Sequence, residues 1–100
     1  MREQCWVMNT TNVDPPPADA PPGDALREAH HGFVRELDEK GILIGAGSFR
    51  DENNERHGTG MIIFQADTRT EAEAIANSEP YIKAGVRKLQ LTPWQRTAGR

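Results

Sequence analysis

Two of the three histidines in the chain stand side by side, in Glu28-Ala29-His30-His31-Gly32-Phe33. Histidine changes its protonation state close to neutral pH, so this pair is the first place to look for general acid–base chemistry. Other chemistries find less support. No glycine-flanked serine elbow is present, and the single cysteine, Cys5, has no neighbouring base in sequence. One cysteine also excludes an intrachain disulfide and a cysteine-built zinc site. Adjacent histidines cannot chelate a metal from one helical face, and His57 falls in a polar turn, so no metal ligand set and no cofactor are expected. Gly45-Ala46-Gly47 lacks the following helix of a phosphate-binding loop, and its glycines suit strand curvature or close packing.

What the two histidines can do depends on the element that carries them. Apolar side chains at Leu26, Phe33, Val34 and Leu37 repeat on one helical face, which predicts a helix over residues 25–40 with Gly41 as its stop. Asp24 stands where its carboxylate can cap the first turn. His30 falls on the apolar stripe of this helix. His31 is turned about 100° away, in register with Arg27, Arg35 and Asp38 on the polar side, where it reads as a solvated surface residue.

The rest of the chain supplies the frame. Residues 4–9, 41–49, 59–67 and 86–94 read as strands, the second and third joined as a hairpin through the polar stretch 50–58. Residues 13–23 hold five of the seven prolines and form a stiff, extended loop. Thr70 and Glu73 have capping-box spacing and open a second helix over 71–78; Pro80 interrupts it, with a further turn following at 81–85. The tail, 95–100, is expected to be flexible. Strand, helix, strand, strand, helix, strand in one domain of 100 residues suits an α+β, ferredoxin-like βαββαβ fold, a four-stranded antiparallel sheet with two helices on one face.

Three of the strands, at Cys5-Trp6-Val7-Met8, Ile42-Leu43-Ile44 and Met61-Ile62-Ile63-Phe64, are apolar at consecutive positions and therefore on both faces of the sheet. Two helices cover one face only. The other is expected to be covered by a second copy of the chain, which predicts a homodimer. A net charge of −3, with 27% charged and 36% hydrophobic residues, fits a soluble protein and argues against nucleic acid as a partner. A small basic group at Lys83, Arg87, Lys88, Arg96 and Arg100 reads as a solvated face with a basic tail, although it is also able to meet an anionic ligand. No apolar run approaches the roughly 18 residues of a membrane span, and no signal-peptide core follows the N-terminus, so a cytoplasmic location without a membrane partner is expected.

The order and spacing of several short motifs resemble the YciI-like (YCII-related) family of small dimeric α+β-barrel proteins. They are Arg27 and His30 in the first helix, Glu39-Lys40-Gly41-Ile42-Leu43-Ile44-Gly45-Ala46-Gly47 entering the second strand, and Glu79-Pro80-Tyr81 after the second helix. Ala84-Gly85-Val86 and Leu91-Thr92-Pro93-Trp94 complete the set. The resemblance implies the ferredoxin-like fold, dimerisation through the sheets, and a pocket holding a histidine–acid pair. It also implies activity on small oxygenated or aromatic-derived metabolites without metal or organic cofactor. The family's usual acid before Pro-Tyr is aspartate; here it is Glu79, one methylene longer.

Carried onto these positions, the resemblance makes His30 and Glu79 the candidate catalytic pair. The carboxylate would hold the imidazole in one tautomer and make it a better proton acceptor. Arg27 would bind a carboxylate or oxyanion, or pair on the surface with Glu28 or Asp24. Ser48 would supply a hydroxyl, and Tyr81 and Trp94 would line the pocket or pack in the core. Two readings follow. One is a lyase or isomerase that removes a proton α to a carbonyl; the other is a non-catalytic dimeric domain that binds a small ligand or a partner in the same pocket.

Overall fold

The computed structural model describes residues 3–99. The elements run β1 (Glu3–Asn12), α1 (Gly23–Glu39), β2 (Leu43–Arg50), β3 (Arg56–Gln65), α2 (Arg69–Asn77), α3 (Pro80–Lys83) and β4 (Arg87–Arg96). The strands form one antiparallel sheet in the order β2-β3-β1-β4. This is the ferredoxin-like α+β arrangement expected from the element order. β4 continues through Gln95 and Arg96, which pair with Gln4 and Glu3, so these two residues belong to the sheet rather than to the tail. An ion pair between Arg96 and Glu3 closes that end.

Strand alternation sorts the side chains. Trp6, Met8 and Thr10 of β1 stand beside Phe64, Ile62 and Gly60 of β3 on the face that meets the helices. There Trp6, Met8, Ile62 and Phe64 form the core with Leu37, Ala66, Ala72 and Ala76. Met8 and Phe64 are fully buried, each worth roughly 1.5–3 kcal/mol of apolar transfer. Trp6 solves its polar problem by donating its indole N–H to the Ala66 carbonyl at 3.0 Å.

The helices are bounded by specific backbone devices. Gly41 sits at φ 75°. Its N–H reaches the Asp38 carbonyl at 3.0 Å and that of Ile42 reaches Leu37 at 3.1 Å, the paired bonds of a Schellman stop. Gly85 ends α3 in the same way, through Ile82 and Tyr81. At the start of α1 the expected Asp24 cap is corrected. Pro22 holds the cap position without a side-chain bond, and Asp24 lies inside the first turn, where its carboxylate accepts from the Ala25 N–H at 3.0 Å.

The cap of α2 also moves. Thr68, not Thr70, takes the position, accepting from the Glu71 N–H at 3.2 Å, while Glu71 reaches back to the Asp67 N–H at 3.3 Å. The threonine–glutamate spacing occurs twice in Thr68-Arg69-Thr70-Glu71-Ala72-Glu73, and the helix starts at the earlier copy. Thr68→Ala should therefore cost about 1 kcal/mol and lower the melting temperature by about 4–8 °C, whereas Thr70→Ala stays within about 0.5 kcal/mol. Equal losses in the two variants, measured by thermal unfolding, would contradict this assignment.

Candidate active site

His30 reaches the core side of α1 because Leu26, Phe33, Val34 and Leu37 turn the same way. Only about a quarter of its ring is exposed, and Nδ1 lies 2.8 Å from Glu79 Oε1. Glu79 arrives from a corner 49 residues further along the chain. Pro80, the first residue of α3, keeps Glu79 extended at φ −63°, ψ 131°, and the glutamate caps the short helix by accepting from the Ile82 N–H at 3.0 Å through Oε2. Its side chain is buried, with each carboxylate oxygen engaged. The additional methylene relative to aspartate is thus accommodated, since one carboxylate spans the helix cap and the histidine.

Against an ionised carboxylate, which only accepts, a neutral imidazole would carry its proton on Nδ1 and its lone pair on Nε2. Among the described residues no protein group hydrogen-bonds to Nε2. Tyr81 flanks the ring with centroids 5.2 Å apart, and His31 follows at 5.9 Å.

His30 opens into a cleft of about 670 Å³ between α1, α3 and the inner face of the β2–β3 hairpin. Met8, Val34, Leu43 and Ile62 make its apolar floor; Arg27, His31 and Arg35 stand on the α1 wall. Glu79, Tyr81 and Arg87 close the side opposite the hairpin. His31 is exposed, as its helical phase requires, yet borders the mouth of the cleft instead of facing away from it. Arg27 is at the rim and is not paired with Glu28 or Asp24.

Ser48 also lines the cleft, at its outer end, where its hydroxyl accepts from Arg50 Nε at 3.2 Å. It faces inward because of a bulge: Leu43 pairs with Phe64 but Gly45 with Ile63, leaving Ile44 as the extra residue. Beyond that point Ala46 and Ser48 take the helix-side face. Trp94 corrects the expectation of a pocket residue. Its register partner is Cys5, on the opposite face of the sheet from Met8 and Phe64, and its indole is exposed there. It is out of phase with Leu89 and Leu91, which pack on the core.

Cys5 lies on that same far face, away from His30. Burial pushes its thiol up, the Glu3 carboxylate pushes it further, and Arg96 partly offsets both. It is therefore not poised as a thiolate nucleophile. At the hairpin tip Asp51, Glu55 and His57 gather their ligand-type atoms within 4.8 Å of one another, all on exposed residues. The grouping has a local explanation. Asp51 Oδ2 contacts His57 Nε2 and Oδ1 accepts from the Glu55 and Asn53 N–H groups, which together hold the Asp51 carboxyl below the usual carboxylate range. None of these residues reaches the cleft.

Arg87 was missed as a site residue because it sits within a basic group. Its phase on β4 is the available signal: Arg87, Leu89 and Leu91 alternate onto the helix-side face, while Lys88 points away. Arg56 and Thr10 likewise line the cleft without a motif to announce them.

A family model described as the YCII-related domain matches residues 7–95. No curated protein matches the sequence. Among solved structures the chain is similar to the 5-chloro-2-hydroxyhydroquinone dehydrochlorinase of Burkholderia phenoliruptrix, determined in complex with 2,5-dihydroxybenzoquinone. The two share 14% identity and a TM-score of 0.62 over 90% of this chain and 92% of that one, a likeness of fold. No helix among the described residues is long and apolar enough to cross a membrane.

Proposed function

The chain belongs to the YCII-related domain family, and from that premise we propose that it is a small cofactor-independent enzyme of the lyase or isomerase type, acting on an oxygenated metabolite through His30 and Glu79. His30 Nε2 takes the proton from a carbon next to a carbonyl. The C–H bond breaks, its electron pair becomes the enolate, and the imidazole becomes an imidazolium held by the Glu79 carboxylate. Returning the proton to another carbon completes an isomerisation; expelling a leaving group from the β carbon completes an elimination. Arg27, which lines the same cleft, would favour the developing negative oxygen, with Tyr81 as a wall beside the reacting carbon.

The observation that carries this reading is the 2.8 Å contact between Nδ1 and a buried carboxylate, on a histidine that lines an apolar-floored cleft and whose Nε2 has no protein partner among the described residues. The fold neighbour supports it as a dehydrochlorinase solved with a small hydroxyquinone. The test is a thermal-shift screen of small keto, enol and lactone compounds, followed by turnover assays on those that stabilise the protein. Hits consumed by the wild type and not by His30→Gln support the proposal. Hits that bind and are never consumed favour a second reading, a non-catalytic binding domain. That reading draws on Glu79, whose bond to the Ile82 N–H gives it a structural duty independent of chemistry.

We further propose a homodimer through the sheet face opposite the helices. That face carries the partly exposed Val7, Met61 and Ile63 at its centre, with Trp94 exposed near one end beside its buried register partner Cys5. A continuous sheet surface of this kind is closed most simply by a copy of itself. Light scattering over a dilution series should return twice the chain mass across the micromolar range. A monomer throughout would remove this part of the proposal.

A further inference from the structure

The cleft holds more positive charge than the His30–Glu79 pair uses. Arg27, Arg35, Arg56 and Arg87 all line it, and among the described residues none of the four has a carboxylate within ion-pair distance. Of the two carboxylates on the cleft, Glu79 is committed to His30 and the Ile82 N–H, and Asp38 is exposed on the α1 wall. In a chain whose net charge is −3, this is a local reversal of sign. A cleft lined by one sign of charge draws ligands of the other.

Arg87 differs from the other three. It is half-buried, and its guanidinium lies 3.8 Å from the centroid of Tyr81, whose ring in turn lies 5.2 Å from that of His30. Stacking fixes the plane of the guanidinium and leaves its edge donors free to form the two-pronged contact that suits paired oxygens. No protein acceptor among the described residues takes any of them. A half-buried cation with no carboxylate partner among the described residues, stacked on the ring that flanks His30, favours an anionic ligand.

We propose that the cleft takes a small organic anion whose charge is shared by two oxygens, a carboxylate or its enolate equivalent. Arg87, stacked on Tyr81, is the anchor for those oxygens. The ligand then lies across Tyr81 with its adjoining carbon towards His30 Nε2. This assignment rests on the cleft being the substrate site proposed above, but not on any turnover there. It makes Arg87 a specificity residue, since a neutral analogue would leave the stacked guanidinium unpaired.

The test is a matched pair of inert probes, 4-hydroxybenzoate and 4-hydroxybenzamide, titrated into the protein at low salt. Binding is read from chemical-shift changes at His30, Tyr81 and Arg87. Wild type should bind the carboxylate at least about tenfold more tightly than the amide, in line with a charge-assisted hydrogen-bonded contact. Arg87→Gln should abolish that preference, Arg87→Lys should recover part of it, and His30→Gln should leave it in place. Equal binding of the two probes, no detectable binding of the carboxylate at millimolar concentration, or an unchanged preference in Arg87→Gln would each overturn the proposal. A preserved preference with no compound ever turned over would sink the enzyme reading and leave this one standing. Turnover of substrates with no anion preference would do the reverse.

Discussion

His30→Gln is expected to lower turnover of any substrate found for this cleft by about 10²–10⁴-fold, the usual contribution of a placed general base. Glutamine is chosen for what it keeps. Its amide N–H₂ can still donate towards Glu79, so the buried carboxylate is not stranded, but it offers no nitrogen lone pair to accept a proton. Because the loss concerns the proton transfer itself, it should fall on kcat, with KM changed far less. A variant that unfolds, or one that loses affinity while retaining kcat, would speak for a structural or binding role instead. His31→Gln is the control at the neighbouring position. His31 is exposed at the mouth and has no carboxylate partner among the described residues, so its replacement should leave kcat within a few-fold of wild type.

The largest effect on stability is expected at the partner residue. Glu79→Ala removes the acceptor for the Ile82 N–H and leaves His30 Nδ1–H facing a gap. A lost N-cap costs about 0.5–2 kcal/mol and an orphaned buried donor about 1–3 kcal/mol. Together about 2–4 kcal/mol should disappear, a large share of the stability of a domain this size. The melting temperature should fall by about 10 °C or more. Glu79→Gln keeps an acceptor oxygen for one of the two partners and should lose roughly half as much. Urea unfolding of both variants checks the order. A Glu79→Ala protein as stable as wild type would mean that the carboxylate serves neither the cap nor the histidine.

The parts of the fold carried by periodicity were legible in the chain. His30 shares a helical stripe with Leu26, Phe33, Val34 and Leu37, and that stripe does place it against the core side. Gly41 ends α1 as its position suggests, since only a residue at ease with φ 75° closes that turn without strain. The pairing of His30 with Glu79 is a different matter. The residues are 49 positions apart, and no local pattern joins them. It entered through the family resemblance and through Pro80, which forces the glutamate out of helical geometry.

What stayed hidden did so for physical reasons. The face of Ser48 depends on one extra residue at Ile44, and a single-residue slip inverts every side chain beyond it. Trp94 was readable in principle, because it is out of phase with Leu89 and Leu91, but its place in a shared motif outweighed its phase. Thr68 and Thr70 offer the same capping spacing, and the choice between them is made by where β3 releases the chain. Arg87 was obscured by its basic neighbours, although alternation along β4 separates it from Lys88. Charge grouped along a sequence is not charge grouped in space.

The central claim is that His30 presents an unprotonated Nε2 to the cleft because Glu79 holds the proton on Nδ1. A long-range ¹H–¹⁵N correlation spectrum of the imidazole rings, recorded above the ordinary histidine titration range, reads this directly. The expected result is an Nδ1–H tautomer for His30, with Nε2 showing the shift of a bare ring nitrogen. If His30 instead carries its proton on Nε2, the base proposed here has no lone pair facing the substrate, and the account is contradicted.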